Sequence, residues 1–286
     1  MSATGDEFGS FPPEVPTDRP TSARVYAWAL GGKDTFAVDR EWSLKANEVF
    51  PEGVDMARNN RQFLYRAVRF LARDAGIEQF LDLGSGLPTE NNVHQVAQQF
   101  QPGARVVYVD NDPIVSVHGR ALLAEDNSTT VIDADMTSPD EIFAHPETRR
   151  LIDLTQPVGI LMFSIPHCIP DDAAARRAIQ GPVERAASGS YLAITHVAAN
   201  DPATAQRSSQ TLTDFGMPWK TRTPTDIDPW LAGLDPVAPG LGDITDWRPD
   251  PDQPELSPLP PELQPFLGAS QRRKELYEYG GVLRKP

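Results

Sequence analysis

The sequence predicts an α/β fold with a doubly wound, mostly parallel sheet. Short apolar runs alternate with stretches of helical periodicity, and continuous runs of Val, Ile, Leu and Tyr are typical of parallel strands buried on both faces. Repeated strand–helix–strand units also imply right-handed crossovers, which place helices on both faces of the sheet. The predicted parallel strands span residues 79–83, 105–109, 129–132, 158–163 and 190–195.

The region before the first strand is predicted to form a helical cap. Apolar residues from Met56 to Leu71 recur at three- and four-residue spacing, with Asp55 as the predicted N-cap and Gly76 as a left-handed C-cap. Residues 1–20 hold four prolines and are predicted to be flexible. We therefore expect a flexible segment at 1–20 and a single domain at 21–286, divided into a cap at 21–76 and a core at 77–286.

Helices are also predicted at residues 89–100, 204–215 and 224–234, and strands at 239–247 and 276–283. The two C-terminal strands are expected to form an antiparallel pair at the edge of the sheet. Residues 249–265 contain seven prolines, which predicts an extended surface loop.

Composition narrows the class of protein. With a net charge of −14 and a pI near 4.7, the chain is a poor candidate for binding nucleic acid, which requires clustered Lys and Arg. The longest apolar run, residues 158–165, is too short to span a bilayer, and the N-terminus lacks the features of a secretory signal. Cys168 is the only cysteine. We therefore expect a cytoplasmic protein that acts on a small molecule, without a membrane or nucleic-acid partner and without a metal site.

The N-terminal helical region is locally basic. Between Arg24 and Arg73 the basic residues outnumber the acidic ones. Two explanations are open. Either different solvent-exposed faces of the protein carry charges of different sign, or a basic N-terminal element covers an anionic or carboxylate-bearing ligand.

The residues that carry chemistry follow the predicted strands, at the edge where open α/β sheets bind ligands. Asp82, Gly84 and Gly86 end the first strand, and glycines there let the backbone turn sharply and approach a ligand. The helix expected near Thr89 would direct free N–H groups at this loop. Asp110 ends the second strand, where a carboxylate can bind ribose hydroxyls, although taken alone it could equally be a helix cap or a loop carboxylate.

The third and fourth strands are followed by further polar residues. After the third strand, Asp135 could accept a hydrogen bond from an adenine amino group, and Met136 could cover the ring; Asp135 could equally cap a helix. After the fourth strand, Ser164 and His167 lie at the depth expected for the reacting end of the ligand.

The glycine loop favours S-adenosylmethionine over NAD. A dinucleotide-binding fingerprint has a third glycine where this chain has Thr89. Asp82 would repel a phosphate but suits a ligand with an ammonium and a sulfonium. An NAD-linked oxidoreductase and a non-enzymatic protein that binds S-adenosylmethionine remain as alternatives.

The chain resembles, nearly end to end, an actinobacterial family of S-adenosylmethionine-dependent methyltransferases long catalogued as a domain of unknown function. The most specific strings are Leu-Gly-Gly-Lys-Asp at 30–34 and Gly-Ser-Gly-Leu-Pro-Thr at 84–89. Other matching segments are residues 23–26, 56–61, 66–70, 80–83, 106–113, 133–135, 245–249 and 281–286. The resemblance implies a Rossmann-like sheet of the class I methyltransferase type, with the N-terminal helices over the site.

By the resemblance, the cofactor site includes Gly84, Ser85, Gly86, Asp110, Asn111, Asp135, Met136 and Ser164. The chain departs from the family pattern at Ala27-Trp28 and at Pro166, both where an acceptor would dock.

Several side chains are candidates for a role in methyl transfer. His167 is the predicted base if the acceptor is a hydroxyl or ammonium, with a structural histidine as the alternative. Tyr26, Lys33 and Arg61 are candidates to orient the cofactor carboxylate or the acceptor, although Arg61 could equally be a solvated helix residue. His196 and Cys168 are expected to be structural. The acceptor itself is not identified by the sequence.

Overall fold

The computed structural model describes residues 15–122 and 127–286. Within these ranges, eight strands form one mixed sheet in the order β3-β2-β1-β4-β5-β8-β6, and β7 also pairs with β8. The strands are β1 (Gln79–Leu83), β2 (Arg105–Asp110), β3 (Thr129–Asp133), β4 (Gly159–Met162), β5 (Tyr191–Ala199), β6 (Asp235–Pro236), β7 (Gly242–Asp243) and β8 (Leu276–Arg284). The flexible segment predicted at 1–20 lies largely outside the described residues.

Strands β1 to β5 are parallel, as predicted. Strands β2 and β3 are added on one side of β1, and β4 and β5 on the other, so the strand order reverses between β1 and β4. Every residue of β1 and β4 is buried, which explains their continuous apolar sequence. Gly159 in β4 permits a close approach, since a Cβ at that position would lie 2.8 Å from Phe80 Cδ1. The strand reversal creates a crevice at the carboxyl edge of the sheet, which is where ligands bind in this class of fold.

Helices cover both faces of the sheet. They are α1 (Ser22–Ala29), α2 (Ala37–Val49), α3 (Gly53–Arg69), α4 (Val93–Gln98), α5 (Pro113–Leu122), α6 (Pro139–Ala144), α7 (Pro146–Leu151), α8 (Asp172–Arg185), α9 (Pro202–Asp214) and α10 (Pro224–Ile227). None of the helices in the described part of the chain combines the length and the apolar character needed to cross a membrane.

Helix α3 anchors the cap to the sheet. Its Phe63 ring packs edge-on against Trp247, 5.3 Å away, and Arg66 donates hydrogen bonds to the carbonyls of Ile244 and Trp247. The helix continues as a π-helical turn, after which Gly76 has the predicted left-handed φ of +69°. This packing supports our proposal that the cap and the sheet form a single domain over residues 21–286.

The predicted start of α3 is wrong. The helix begins at Gly53 and its N-cap is Glu52, so Asp55 lies inside the first turn. The Asp55 carboxylate instead accepts the backbone N–H groups of Gly268 and Ser270, at 2.9 and 2.8 Å. A carboxylate that binds N–H groups distant in sequence cannot be distinguished from a helix cap by local spacing alone.

The C-terminal strands differ from the prediction. Residues 239–247 contribute only the two residues of β7, followed by a 3₁₀ turn at Ile244–Asp246. Strand β8 forms nine antiparallel pairs with β5, while β6 and β7 add short antiparallel pairings on its other side. Gly280 is needed for this contact, because a Cβ there would lie 1.9 Å from Ile194 O. The antiparallel edge of the sheet is therefore confirmed, although β8 itself lies inside it.

The proline-rich segment packs against the cap. Residues 249–260 contain no helix or strand, as predicted, and a 3₁₀ helix follows at Pro261–Phe266. Leu259 and Leu263 are buried in a cluster with Trp28 and Val54. The segment is therefore a packed cover of the N-terminal helices, where the sequence predicted only an extended surface loop.

Candidate active site

A cavity of about 700 Å³ lies between the carboxyl edge of the sheet and the helices of the cap. The residues assigned to the site from the sequence all lie on its wall: Tyr26, Arg61, Asp82, Gly84, Ser85, Gly86, Asp110, Asn111, Asp135, Met136, Ser164 and His167. Lys33, the other candidate, is exposed and is not part of the wall. The fold thus brings together residues that are separated by up to 141 positions in the sequence.

The loop after β1 turns on two glycines with left-handed backbone. Gly84 has a φ of +73° and donates its N–H to Val109 O at 2.8 Å, while Gly86 has a φ of +66° and donates to Asp110 Oδ2 at 2.8 Å. A Cβ at Gly84 would lie 2.5 Å from Ile165 Cγ1, whereas a Cβ at Gly86 would meet nothing within 4 Å. Gly84 is therefore required by both conformation and packing, and Gly86 by conformation.

The helix after this loop does not direct its N-terminus at the site, contrary to the prediction. Helix α4 begins at Val93, four residues beyond Thr89, and Asn92 and Gln95 form a capping box at its start. The His94 N–H donates to the Tyr108 hydroxyl at 2.9 Å. These donors are used within the protein, and residues 87–95 do not lie on the cavity wall.

Two acids lie side by side below the glycine loop. Asp82 is 4% exposed, and burial raises its pKa to about 7; the Arg61 guanidinium lowers it, and Asp110 raises it. Burial likewise raises the pKa of Asp110 to about 6, against the effect of N–H groups donated by Asp112 and Gly86. Two buried carboxyl groups, each with a raised pKa, favour a positively charged ligand beside them.

Arg61 holds the glycine loop against the cap. Its Nη2 donates to Glu90 O at 2.7 Å and to Asn91 O at 3.0 Å. Burial lowers the pKa of Arg61, and the neighbouring Asp82 opposes that shift. The guanidinium therefore joins α3 to the segment after β1 and places one positive charge near the two acids.

The loops after β2 and β3 contribute the outer part of the wall. Asn111 and Asp135 are exposed, and Asp135 Oδ1 accepts the Thr137 N–H at 2.8 Å in a tight turn. Helix α6 has Ser138 as its N-cap, so Asp135 is not the helix cap that the sequence left open. Met136 is half-buried and packs against the core beneath the loop.

A chain of hydrogen bonds joins the cap to the sheet at the centre of the cavity. The Ser164 N–H donates to Thr195 Oγ1 at 2.7 Å, and the Thr195 hydroxyl donates to Asn60 Oδ1 at 2.7 Å. Asn60 Nδ2 in turn donates to the Tyr26 hydroxyl at 2.8 Å, which donates to Ala57 O. Since Asn60 is 1% exposed, these bonds fix the position of α3 over β5.

His167 lies on the wall, but its environment does not favour a base. The ring is 2% exposed, Nδ1 accepts the Val197 N–H at 3.1 Å, and the Trp219 ring lies 4.2 Å away. Burial holds the pKa of His167 well below its ordinary value, helped by His196 and Arg222. A neutral ring whose Nδ1 accepts a bond carries its proton on Nε2 and offers the cavity a donor.

Glu278 is a site residue that the sequence analysis missed. It lies on β8, opposite Val197 of β5, and its carboxyl group is 3% exposed on the cavity wall. The Ser164 hydroxyl donates to Oε1, and Oε2 is a buried oxygen without a hydrogen-bond partner among the described residues. A charged residue inside the otherwise apolar strand LYEYGGVL was the signal that could have identified it.

The wall beyond the loops that follow β1 to β4 is largely apolar, although Ser43 and Asn47 of α2 also line it, and it was missed as well. It is formed by side chains from α2, α9 and the segment after α9: Trp42, Ala46, Phe50, Leu212, Met217 and Trp219. These residues are distant in sequence from the strand ends, and no spacing rule connects them. They give the cavity a second region suited to an apolar molecule.

The remaining sequence candidates have structural surroundings. Ala27 and Trp28 are buried and do not line the cavity, so this departure from the family pattern does not lie at the acceptor site. Cys168 does line the cavity, and burial raises the pKa of its thiol to about 12. His196 is buried behind the wall, and its pKa is lowered to about 3, chiefly by burial.

The comparison with known proteins decides the family. A family model described as S-adenosyl methyltransferase matches residues 9–286. The chain belongs to the S-adenosyl methyltransferase family. It is therefore an S-adenosylmethionine-dependent methyltransferase with a class I fold, as the sequence predicted.

Two solved structures are similar to this methyltransferase over nearly their whole length. One is a candidate methyltransferase from Thermobifida fusca, with 40% identity, a TM-score of 0.79, and coverage of 96% of this chain and 98% of that chain. The other is a DUF574 family protein from Streptomyces avermitilis, with 34% identity, a TM-score of 0.80, and coverage of 96% and 100%. No curated protein matches the chain.

The residues on the wall fit S-adenosylmethionine, the cofactor of the family. Asp82 and Asp110 offer buried carboxyl groups to a ligand that carries an ammonium and a sulfonium. The Ser85 hydroxyl is a buried polar atom without a partner among the described residues, and a Cβ at Gly86 would enter open space. The glycine loop thus leaves both room and unused polar groups beside the acids.

Proposed function

We propose that this methyltransferase transfers the methyl group of S-adenosylmethionine to a small, largely apolar molecule bound in the same cavity. One observation carries the proposal: a single cavity joins the acid-lined glycine loop to an apolar wall. The loops after β1, β2 and β3 lie on one side of the strand reversal, and β5, β8 and α9 lie on the other. The cavity volume of about 700 Å³ is within the range of small-molecule sites.

On the cofactor side, we propose that each predicted residue binds one part of S-adenosylmethionine. Asp82 would bind the ammonium, Asp110 the ribose hydroxyls, and Asp135 with Met136 the adenine. Gly84, Ser85 and Gly86 would pass close to the cofactor, and Asn111, Ser164, Tyr26 and Arg61 would complete the wall around it.

On the acceptor side, the wall excludes water and orients the nucleophile. S-adenosylmethionine supplies a methyl group on a positively charged sulfur. The protein must hold the acceptor atom about 3 Å from that carbon, in line with the bond that breaks. Trp42, Phe50 and Trp219 enclose the region with apolar surface, which keeps water from competing for the methyl group.

The experiment is methyl transfer from labelled S-adenosylmethionine to a cell extract separated into small molecules and macromolecules. We expect the label in the small-molecule fraction with the wild type and its loss with Asp110→Ala. Asp133→Ala is the matched control, because Asp133 is an exposed acid at the end of the neighbouring strand and is not on the wall. Label in protein or nucleic acid, or binding without transfer to either fraction, would refute the proposed acceptor class.

A further inference from the structure

The acceptor side of the cavity contains one buried acid that the cofactor does not explain. Glu278 lies on β8, beyond the strand reversal from Asp82 and Asp110. Ser164 binds its Oε1, while Oε2 is buried and has no hydrogen-bond partner among the described residues. A buried carboxyl oxygen without a partner costs free energy, so its presence on the wall indicates that a ligand supplies the partner.

The neighbouring polar groups are already committed. The Thr195 hydroxyl lies within hydrogen-bonding reach of Glu278 and lowers the pKa of its carboxyl group, but its single proton is donated to Asn60 Oδ1 at 2.7 Å. His167 accepts the Val197 N–H at Nδ1 and therefore has no free lone pair when neutral. The Tyr26 hydroxyl donates to a backbone carbonyl and accepts from Asn60. Glu278 is thus the acid on this side of the described wall that has an uncommitted acceptor atom.

We propose that Glu278 Oε2 binds the hydroxyl or amine of the methyl acceptor and takes its proton during transfer. This inference rests on the proposed function and narrows it. The acceptor class becomes molecules with an apolar body, which the Trp42 and Phe50 region accommodates, and one protic nucleophile directed at Glu278. The Ser164 hydroxyl orients the carboxylate by holding Oε1.

The proposed step balances in atoms and charge. A lone pair of the acceptor oxygen or nitrogen forms the bond to the methyl carbon as the carbon–sulfur bond breaks, and that electron pair returns to the positively charged sulfur. Burial raises the pKa of Glu278 to about 8, so the carboxylate prevails above that pH. The proton of the acceptor then passes to Glu278 Oε2, which converts the carboxylate to the neutral acid. The proton leaves to solvent when the products dissociate. General-base catalysis of this kind contributes about 10²–10⁴-fold to a rate.

The binding test uses protein saturated with the demethylated cofactor, titrated calorimetrically with 2-naphthol and with its methyl ether. The wild type should bind 2-naphthol about tenfold more tightly, because only the naphthol has a hydrogen to donate to Glu278. Glu278→Gln should keep this preference, since an amide oxygen still accepts, and Glu278→Leu should lose it. Failure of 2-naphthol to bind, or a preference that survives in Glu278→Leu, would overturn the inference.

The proton-transfer test measures single-turnover methylation of 2-naphthol. Glu278→Gln should be slower than the wild type by at least about 100-fold with little change in the naphthol concentration that saturates the rate. The matched control is Glu275→Gln, because Glu275 is an acid that pairs with Arg207 and Arg273 outside the cavity. A bound naphthol that the wild type does not methylate, or a Glu278→Gln rate within about threefold of wild type, would overturn the assignment of the base.

The affinity for S-adenosylmethionine distinguishes a failure of the proposed function from a failure of the role proposed for Glu278. It should be within about twofold of the wild-type value in Glu278→Gln, because the amide oxygen still accepts the Ser164 hydroxyl. If the wild type does not bind the cofactor, the proposed function fails as a whole. If the cofactor binds normally and the naphthol results are negative, only the role of Glu278 fails.

Discussion

Replacing Asn60 by Leu should break the link between the cap and the sheet without creating a large void. The amide accepts from Thr195 at 2.7 Å and donates to Tyr26 at 2.8 Å, and it is almost wholly buried. Leucine has a similar volume but no polar atom. The Thr195 hydroxyl would lose its acceptor, which costs about 1–3 kcal/mol, and the lost bond to Tyr26 adds about 0.5–1.5 kcal/mol. The free energy of unfolding should therefore fall by about 1.5–4.5 kcal/mol.

Urea unfolding of four proteins tests this magnitude. They are the wild type, Asn60→Leu, Thr195→Val and the double variant. The double variant should cost less than the sum of the two single variants by about 1–2 kcal/mol, because it removes both partners of one bond. Asn59→Leu is the control; it changes a neighbouring amide whose contact with Thr245 is long and exposed, and should cost less than about 0.5 kcal/mol.

Two results would refute this reasoning. The first is a loss of less than about 1 kcal/mol in Asn60→Leu, which would mean that the buried amide is not hydrogen-bonded as described. The second is strict additivity in the double variant, which would mean that Asn60 and Thr195 do not interact. A change in the urea dependence of the unfolding free energy would indicate a different unfolded or native state and would invalidate the comparison.

Four further predictions follow from individual residues. Replacing Gly84 or Gly86 by Ala should lower the free energy of unfolding by about 1–2 kcal/mol, because both glycines have a left-handed backbone. In urea unfolding, Gly84→Ala should lose more than Gly86→Ala, because only the Cβ at position 84 meets a neighbour. Equal losses would contradict the packing at Gly84. Asp82, with a pKa raised to about 7, ionises between about pH 6 and pH 8. The calorimetric affinity for S-adenosylmethionine should therefore rise over that range in the wild type and rise less in Asp82→Asn. Identical pH profiles of the two proteins would refute the proposed contact between Asp82 and the ammonium of the cofactor. Arg222→Lys should lower the free energy of unfolding in urea by about 1.5–3 kcal/mol, because one ammonium cannot replace the hydrogen bonds of the guanidinium to two loop carbonyls. An unchanged stability would contradict this role of Arg222. The ring of His167 should be neutral with its proton on Nε2 by nitrogen NMR at about pH 6.5, where a free imidazole is half protonated. A titration near that pH would restore it as a candidate base.

The parallel strands could be predicted because burial on both faces requires a continuous apolar run, which is visible in the local sequence. Strands β1 to β4 begin and end within one residue of their predicted bounds, whereas β5 extends to Ala199. The additional residues of β5 are held by β8, from Ala199 paired with Leu276 to Tyr191 paired with Arg284. Such pairing between distant segments leaves no local periodicity. The position of β8 inside the sheet was missed for the same reason.

The meeting of the residues proposed to bind the cofactor could also be predicted, because the carboxyl ends of parallel strands meet at one edge. Asp82, Asp110 and Ser164 were identified in this way, and the fold places them on one cavity wall. The acceptor side depends on contacts between segments far apart in sequence. Trp42 and Glu278 are separated by more than 200 positions, and only the packing of α2 and β8 against β5 brings them together. This is why the cofactor was identified from sequence and the acceptor was not.

Whether the basic residues of the cap can bind a ligand depends on the partners that they already have. Arg24 is fully buried in a pair with Asp39, with 2.7 Å between Nε and Oδ2, and Arg66 donates to two backbone carbonyls. These two charges of the basic region therefore hold the cap together, whereas Arg61 of the same region lies on the cavity wall. The cavity wall also keeps buried acids, Asp82 on the cofactor side and Glu278 on the acceptor side. Against these carboxyl groups the described wall has two basic residues, Arg19 and Arg61, and Arg61 already donates to two backbone carbonyls. A neutral acceptor therefore suits the site better than a phosphorylated one.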